Sequence, residues 1–93
     1  MTVAATIESK LRAALAPTRL AVIDESDLHR GHAGWRPEGE THFRVEVVAE
    51  SFAGLSRVAR QRRVYELLAE ELAGPVHALS LTARTPAEEA AAG

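Results

Sequence analysis

The first apolar positions fall at Val3, Ile7, Leu11, Ala14 and Leu15, separated by four, four, three and one residues. This is the period of a helix with one buried face, so a helix is predicted over residues 3–16, with Glu8, Lys10 and Arg12 toward water. Pro17 closes it. Residues 19–25 are short and carry Leu20, Val22 and Ile23, which suits a strand. Further on, Phe43, Val45, Val47 and Ala49 alternate with His42, Arg44, Glu46, Val48 and Glu50. That period of two predicts a second strand with one buried face, and puts His42 on the mostly polar one. Ser56 is placed to cap a long helix reaching about Leu72. Its apolar stripe reads as Val58, Tyr65, Leu68 and Leu72, with Gln61 inside the stripe and therefore facing the sheet or a partner. Gly74-Pro75 ends it, and residues 77–82 form a third strand with His77 on the side of Leu79 and Leu81. Thr85-Pro86-Ala87-Glu88-Glu89 has the cap, first-turn proline and early acids of a helix start, and residues 87–93 are expected to fray.

The order is thus αββαβα, with no repeat and no linker, and predicts one α+β domain over residues 1–93. The long helix between strands two and three permits a parallel crossover, giving a three-stranded mixed sheet with helices packed on one face. Residues 26–39 join the first two strands as a loop with three glycines, one proline, Trp35 and two histidines. Loops this long in compact domains are usually functional or disordered.

Composition narrows the chemistry. Without cysteine the chain has no disulfide, no thiolate nucleophile and no thiolate metal ligand, so its core must come from apolar side chains. Apolar residues make up 46% of the chain and aromatic ones 4%, so that core is aliphatic. A net charge of −2 exerts no whole-molecule pull on nucleic acid or an anionic membrane. No apolar run approaches the roughly 20 residues of a membrane helix. Glu8 interrupts the first sixteen residues, against a secretory signal, and the expected compartment is the cytoplasm.

Two groups of residues carry candidate chemistry. His29 and His32 stand in H-x-x-H spacing in the loop, His42 opens strand two and His77 opens strand three. Neutral imidazole is a common metal ligand, although loop histidines are also simply solvated, and His77 beside two leucines also reads as a partly buried structural residue. Arg57, Arg60, Arg62 and Arg63 place four cations at the start of the long helix, with Glu66, Glu70 and Glu71 after them. This opposes the helix dipole, each exposed charge being worth roughly 0.3–1 kcal/mol, and hints that the arginines serve a surface. They suit phosphates or a partner's carboxylates. A solvated face with an Arg62–Glu66 pair is the plainer alternative. Enzyme readings find little support, because the serines lack a base at motif spacing and Asp24, Glu25 and Asp27 beside His29 come without a nucleophile.

Several blocks together resemble the BolA family: Phe52-Ala53-Gly54-Leu55-Ser56, Arg60-Gln61-Arg62-Arg63-Val64-Tyr65 and Leu72-Ala73-Gly74-Pro75-Val76-His77-Ala78-Leu79. Gly39-Glu40-Thr41-His42-Phe43 and Asp24-Glu25-Ser26 extend the resemblance over about residues 5–86. It implies an αββαβα fold similar to class II KH domains, although the G-x-x-G loop with which KH domains hold single strands is absent. It further implies a monothiol glutaredoxin partner and a [2Fe-2S] cluster shared with that partner and its glutathione. The family's strand-three histidine matches His77, and its loop ligand matches His32, with His29 as the rival. Two imidazoles on one side should raise the cluster potential, as in Rieske centres. Gln61 stands where many members carry histidine, which removes a titrating group there. Tyr65 and Gln61 are the expected partner contacts. Some members act as transcriptional regulators, so the alternative partner is DNA, met by the four arginines. Alone, the domain is expected as a monomer or a weak homodimer.

Overall fold

A computed structural model describes residues 2–26 and 39–92, and among these the predicted order is borne out. The elements are α1 (Val3–Leu15), β1 (Arg19–Asp24), β2 (His42–Val48), α2 (Arg57–Leu67), α3 (Ala69–Ala73), β3 (Ala78–Arg84) and α4 (Pro86–Ala92), with a 3-10 turn at Glu50–Phe52. The sheet order is β1-β2-β3. β1 runs antiparallel to β2, with Val22 opposite Val45, and β3 runs parallel to β2, with His42 opposite Ala78. This is the mixed sheet expected from the long crossover.

One sheet face carries Phe43, Val45 and Val47, closed over by Ile7, Leu11 and Leu15 of α1 and by Val64 and Leu68. Phe52, from the 3-10 turn, is fully buried in the same cluster. The start of α1 is held twice. Thr2 Oγ1 accepts from the Ala5 amide, and the Glu40 carboxylate accepts from the amides of Val3 and Ala4 at 3.2 and 3.1 Å. A distant acid therefore supplies the negative charge that the first turn of α1 lacks.

Two expectations need correction. The single long helix is two, because Leu68 leaves helical geometry at φ −105° and ψ 19°. The bend lets Leu68 fill the core while Glu71 turns to Lys10, whose Nζ lies 2.9 Å from both its oxygens. The buried stripe read from the sequence holds only in part: Leu68 is buried and Leu72 packs against the core as expected, but the rest differs. Val58 is 55% exposed, Gln61 is exposed and Tyr65 is half-buried, whereas the core-facing line is Arg60, Val64, Leu68 and Glu71. That line has a charge at each end, so it does not look apolar in sequence. Each charge reaches the interior by pairing, Arg60 with Glu88 and Glu71 with Lys10.

At the C-terminal end, Thr85 and Glu88 cap α4 reciprocally. The Thr85 amide donates to Glu88 Oε1 at 2.8 Å and the Glu88 amide donates to Thr85 Oγ1 at 3.2 Å. The segment expected to fray is helical to Ala92. Ion pairs fasten it, Glu88 to Arg60 of α2 and Glu89 to Arg19 of β1. Among the described residues no helix is long and apolar enough to cross a membrane.

Candidate functional site: two histidines where the parallel strands begin

His77 lies one residue ahead of β3, where the sequence put it as the strand's first residue, and its side chain is exposed, which goes against the partly buried alternative. Its backbone is nonetheless fixed. The His77 amide donates to the Thr41 carbonyl at 2.7 Å, and the Ala78 amide donates to the same oxygen at 3.2 Å. The parallel register thereby brings the starts of β2 and β3 together, and the His42 and His77 rings meet at 5.4 Å between centroids, tilted by 52°.

His42 was expected on the polar face of β2 as a structural or surface residue. It is structural: only 4% exposed, although Arg44 on the same face is open to water. A chain of hydrogen bonds explains how a polar ring is held there. Asp24 Oδ1 accepts from the Ser26 hydroxyl at 2.5 Å and from the Ser26 amide at 2.9 Å. Ser26 Oγ in turn accepts from the amides of Thr41 and His42, at 3.0 and 3.3 Å. Thr41 Oγ1 lies 2.8 Å from His42 Nδ1. Partial burial pushes the Asp24 carboxyl upward, but the Ser26 hydroxyl, the Ser26 amide and the Glu40 amide outweigh it, and the net shift is downward. Gly39 completes the turn at φ +76°, where an added Cβ would come within 3.2 Å of Asp24 Oδ2. In the sequence Asp24 stands out only as a candidate acid beside His29, and Ser26 and Thr41 carry no role of their own.

His29 and His32 lie outside the described residues, as does most of the loop that carries them. Among the described residues, no group of three or more His, Asp or Glu side chains is gathered to hold a metal ion.

The four arginines separate into two kinds. Arg60 is structural: its side chain is 12% exposed, and it donates to the carbonyls of Leu55 and Ala83 and to both oxygens of Glu88. Arg57, Arg62 and Arg63 are exposed and take part in none of the ion pairs among the described residues, so the Arg62–Glu66 pair is not formed. Beside them Val58, Gln61, Arg62, Tyr65, Glu66 and Ala69 line a shallow groove on α2. Gln61 Nε2 donates to the Tyr65 hydroxyl at 3.4 Å, and that hydroxyl donates to the Leu79 carbonyl at 3.3 Å. The groove therefore leads toward β3 two residues from His77. β3 is an edge strand, and Tyr65 and Arg60 each occupy one of its carbonyls.

Residues 11–88 match a family described as BolA-like protein. BolA-like protein 1 of Pongo abelii is 54% identical over 86 residues, covering 92% of this chain and 60% of that protein. The chain thus spans about 60% of the length of that relative. The DNA-binding transcriptional regulator BolA of Vibrio cholerae is 48% identical over 82 residues, covering 88% of this chain and 74% of that one. Among solved structures, BolA1 from Arabidopsis thaliana is similar at a TM-score of 0.85 and 42% identity, covering 95% of this chain and 96% of that one.

Proposed function

The chain belongs to the BolA-like family, and on that footing we propose that it is a non-enzymatic adaptor. It pairs with a monothiol glutaredoxin and shares a [2Fe-2S] cluster with it, in iron–sulfur trafficking or iron regulation. The observation that carries the reading is His77: an exposed imidazole on a backbone fixed at two hydrogen bonds, standing against a buried ring. The donor set fits such a cluster. Neutral imidazole ligates iron in Rieske-type centres, and a chain without cysteine leaves the thiolates to the partner and its glutathione. His77 holds the cluster from this side, with His32 as the second ligand and His29 in reserve. Two imidazoles supplied from this side would raise the reduction potential of a bound cluster.

The groove through Val58, Gln61 and Tyr65 supports the same reading, because an exposed valine and a half-buried tyrosine, the latter bonded to the Leu79 carbonyl two residues from His77, offer a partner somewhere to dock. The test is anaerobic mixing with a monothiol glutaredoxin, glutathione, iron and sulfide, followed by native mass spectrometry. One copy of each protein with two irons and two sulfides is the expected species. Cluster loading that is lost in His32→Ala and retained in His29→Ala assigns the loop ligand. A glutaredoxin that elutes as its own homodimer, with this chain left unbound, sinks the reading.

A second reading has its own support. Arg57, Arg62 and Arg63 are exposed cations without an ion-pair partner among the described residues, and the Vibrio cholerae relative bears the name of a DNA-binding regulator. The domain on this reading meets duplex phosphates with the outer side of α2. Absence of any duplex binding at low salt removes it.

A further inference from the structure

The hydrogen bonds behind His42 fix more than its position. A serine hydroxyl has one proton to donate and two lone pairs to accept with. The Ser26 proton is committed to Asp24 at 2.5 Å, and its lone pairs to the amides of Thr41 and His42. The Thr41 hydroxyl has one proton for two acceptors, Ser26 Oγ at 3.3 Å and His42 Nδ1 at 2.8 Å, and the shorter contact, to the ring nitrogen, takes it. A nitrogen that accepts cannot carry the proton, so the neutral His42 ring carries it on Nε2.

We propose that Asp24, Ser26 and Thr41 form a relay that locks His42 in its Nε2–H tautomer, and that the locked ring positions the imidazole of His77. His42 is a positioning residue. Thr41 covers its Nδ1, so that atom is withheld from metals, and its ring faces the exposed His77 side chain and restricts the orientations available to it. The backbone of Thr41 acts on the same target, its carbonyl holding the His77 amide at 2.7 Å. One residue therefore governs both the main chain of His77 and the ring beside it. Outer groups that fix a ligand's orientation commonly matter nearly as much as the ligand, their loss costing about 10–100-fold in metal affinity.

The relay itself stands independently of the cluster. Its consequence for a cluster rests on the function proposed above, and the experiment has one arm for each. In the free protein, long-range proton–nitrogen spectra should show His42 Nδ1 as an unprotonated acceptor and Nε2 as protonated. Thr41→Val, which keeps the shape and removes the donor, should bring the two nitrogen shifts together and release the His77 side chain into rotamer averaging. Thr41→Ser should restore both. A protonated His42 Nδ1 in the wild-type protein overturns the relay whether or not the variant folds. An unchanged His77 signal in folded Thr41→Val overturns the positioning role. In the glutaredoxin complex, the visible circular dichroism of the cluster should change in Thr41→Val and recover in Thr41→Ser. A wild-type complex without a cluster counts against the function proposed above, while the free-protein spectra still decide the relay.

Discussion

Arg60 of α2 holds Glu88 of α4 with two guanidinium nitrogens, at 2.6 and 3.1 Å, across 28 residues of sequence. The same side chain donates to the Leu55 and Ala83 carbonyls and lies 5.9 Å over the Phe52 ring. It ties the helix that carries the surface arginines to the end of the sheet. Arg60→Ala is expected to cost about 1–3 kcal/mol, because it strands hydrogen-bonded carbonyls as well as a carboxylate. Arg62→Ala, with no such partners, should stay within about 0.5 kcal/mol. Urea unfolding of the two variants checks the contrast.

Acid should loosen α4 first. The Arg60 hydrogen bond, aided by the Thr85 amide, holds the Glu88 carboxyl down at about 2 from an ordinary 4.5. Glu89 is held low chiefly by its hydrogen bond with Arg19. A depressed carboxyl stabilises the fold above its unfolded pKa, and that contribution is lost as pH falls through the folded one. For Glu88 the window runs from about 4.5 down to about 2. Thermal melts should therefore decline across it, and Glu88→Gln should give a lower but flatter profile. Equal slopes for the two proteins would contradict this assignment.

The sequence reading put Val58 and Leu68 on one buried stripe, but only Leu68 is buried, and two substitutions separate them. Leu68→Ala empties a position at the centre of the aliphatic cluster and should cost about 2–5 kcal/mol. Val58→Ser should leave stability within about 0.5 kcal/mol and instead weaken docking of a partner in the groove. Equilibrium unfolding and a glutaredoxin pull-down read the two effects apart.

If duplex DNA is the partner, salt dependence counts the cations that reach it. With Arg60 committed to Glu88, Arg57, Arg62 and Arg63 remain, and three phosphate contacts give a slope of about −3 in log K against log salt. Neutralising all three should abolish the slope. A slope unchanged by that substitution would place the contacts elsewhere.

Periodicity carried the architecture because the apolar positions of α1 and β2 follow their ideal spacing without interruption. It failed on α2 for a physical reason. Arg60 and Glu71 occupy the inward line, and each becomes tolerable there only through a partner far off in sequence. Composition sees two charges and pushes the buried face toward Val58 and Tyr65. The histidine pair was half legible. His42 and His77 each open a strand, and the expected crossover was parallel, so the two starts had to lie side by side. The burial of His42 was not legible, since it depends on the Ser26 and Thr41 hydroxyls meeting across 15 residues.

The proposed pairing with a glutaredoxin depends on His77 as a cluster ligand offered by an exposed side chain. The most direct measurement is the visible absorption and circular dichroism of the complex reconstituted with a monothiol glutaredoxin and glutathione, for the wild-type chain and for His77→Ala. Because the side chain is exposed, the variant should fold with near-normal stability, so any spectral change belongs to the ligand. The prediction is a [2Fe-2S] spectrum for the wild type that is altered or lost in the variant. Identical spectra from the two complexes would contradict it.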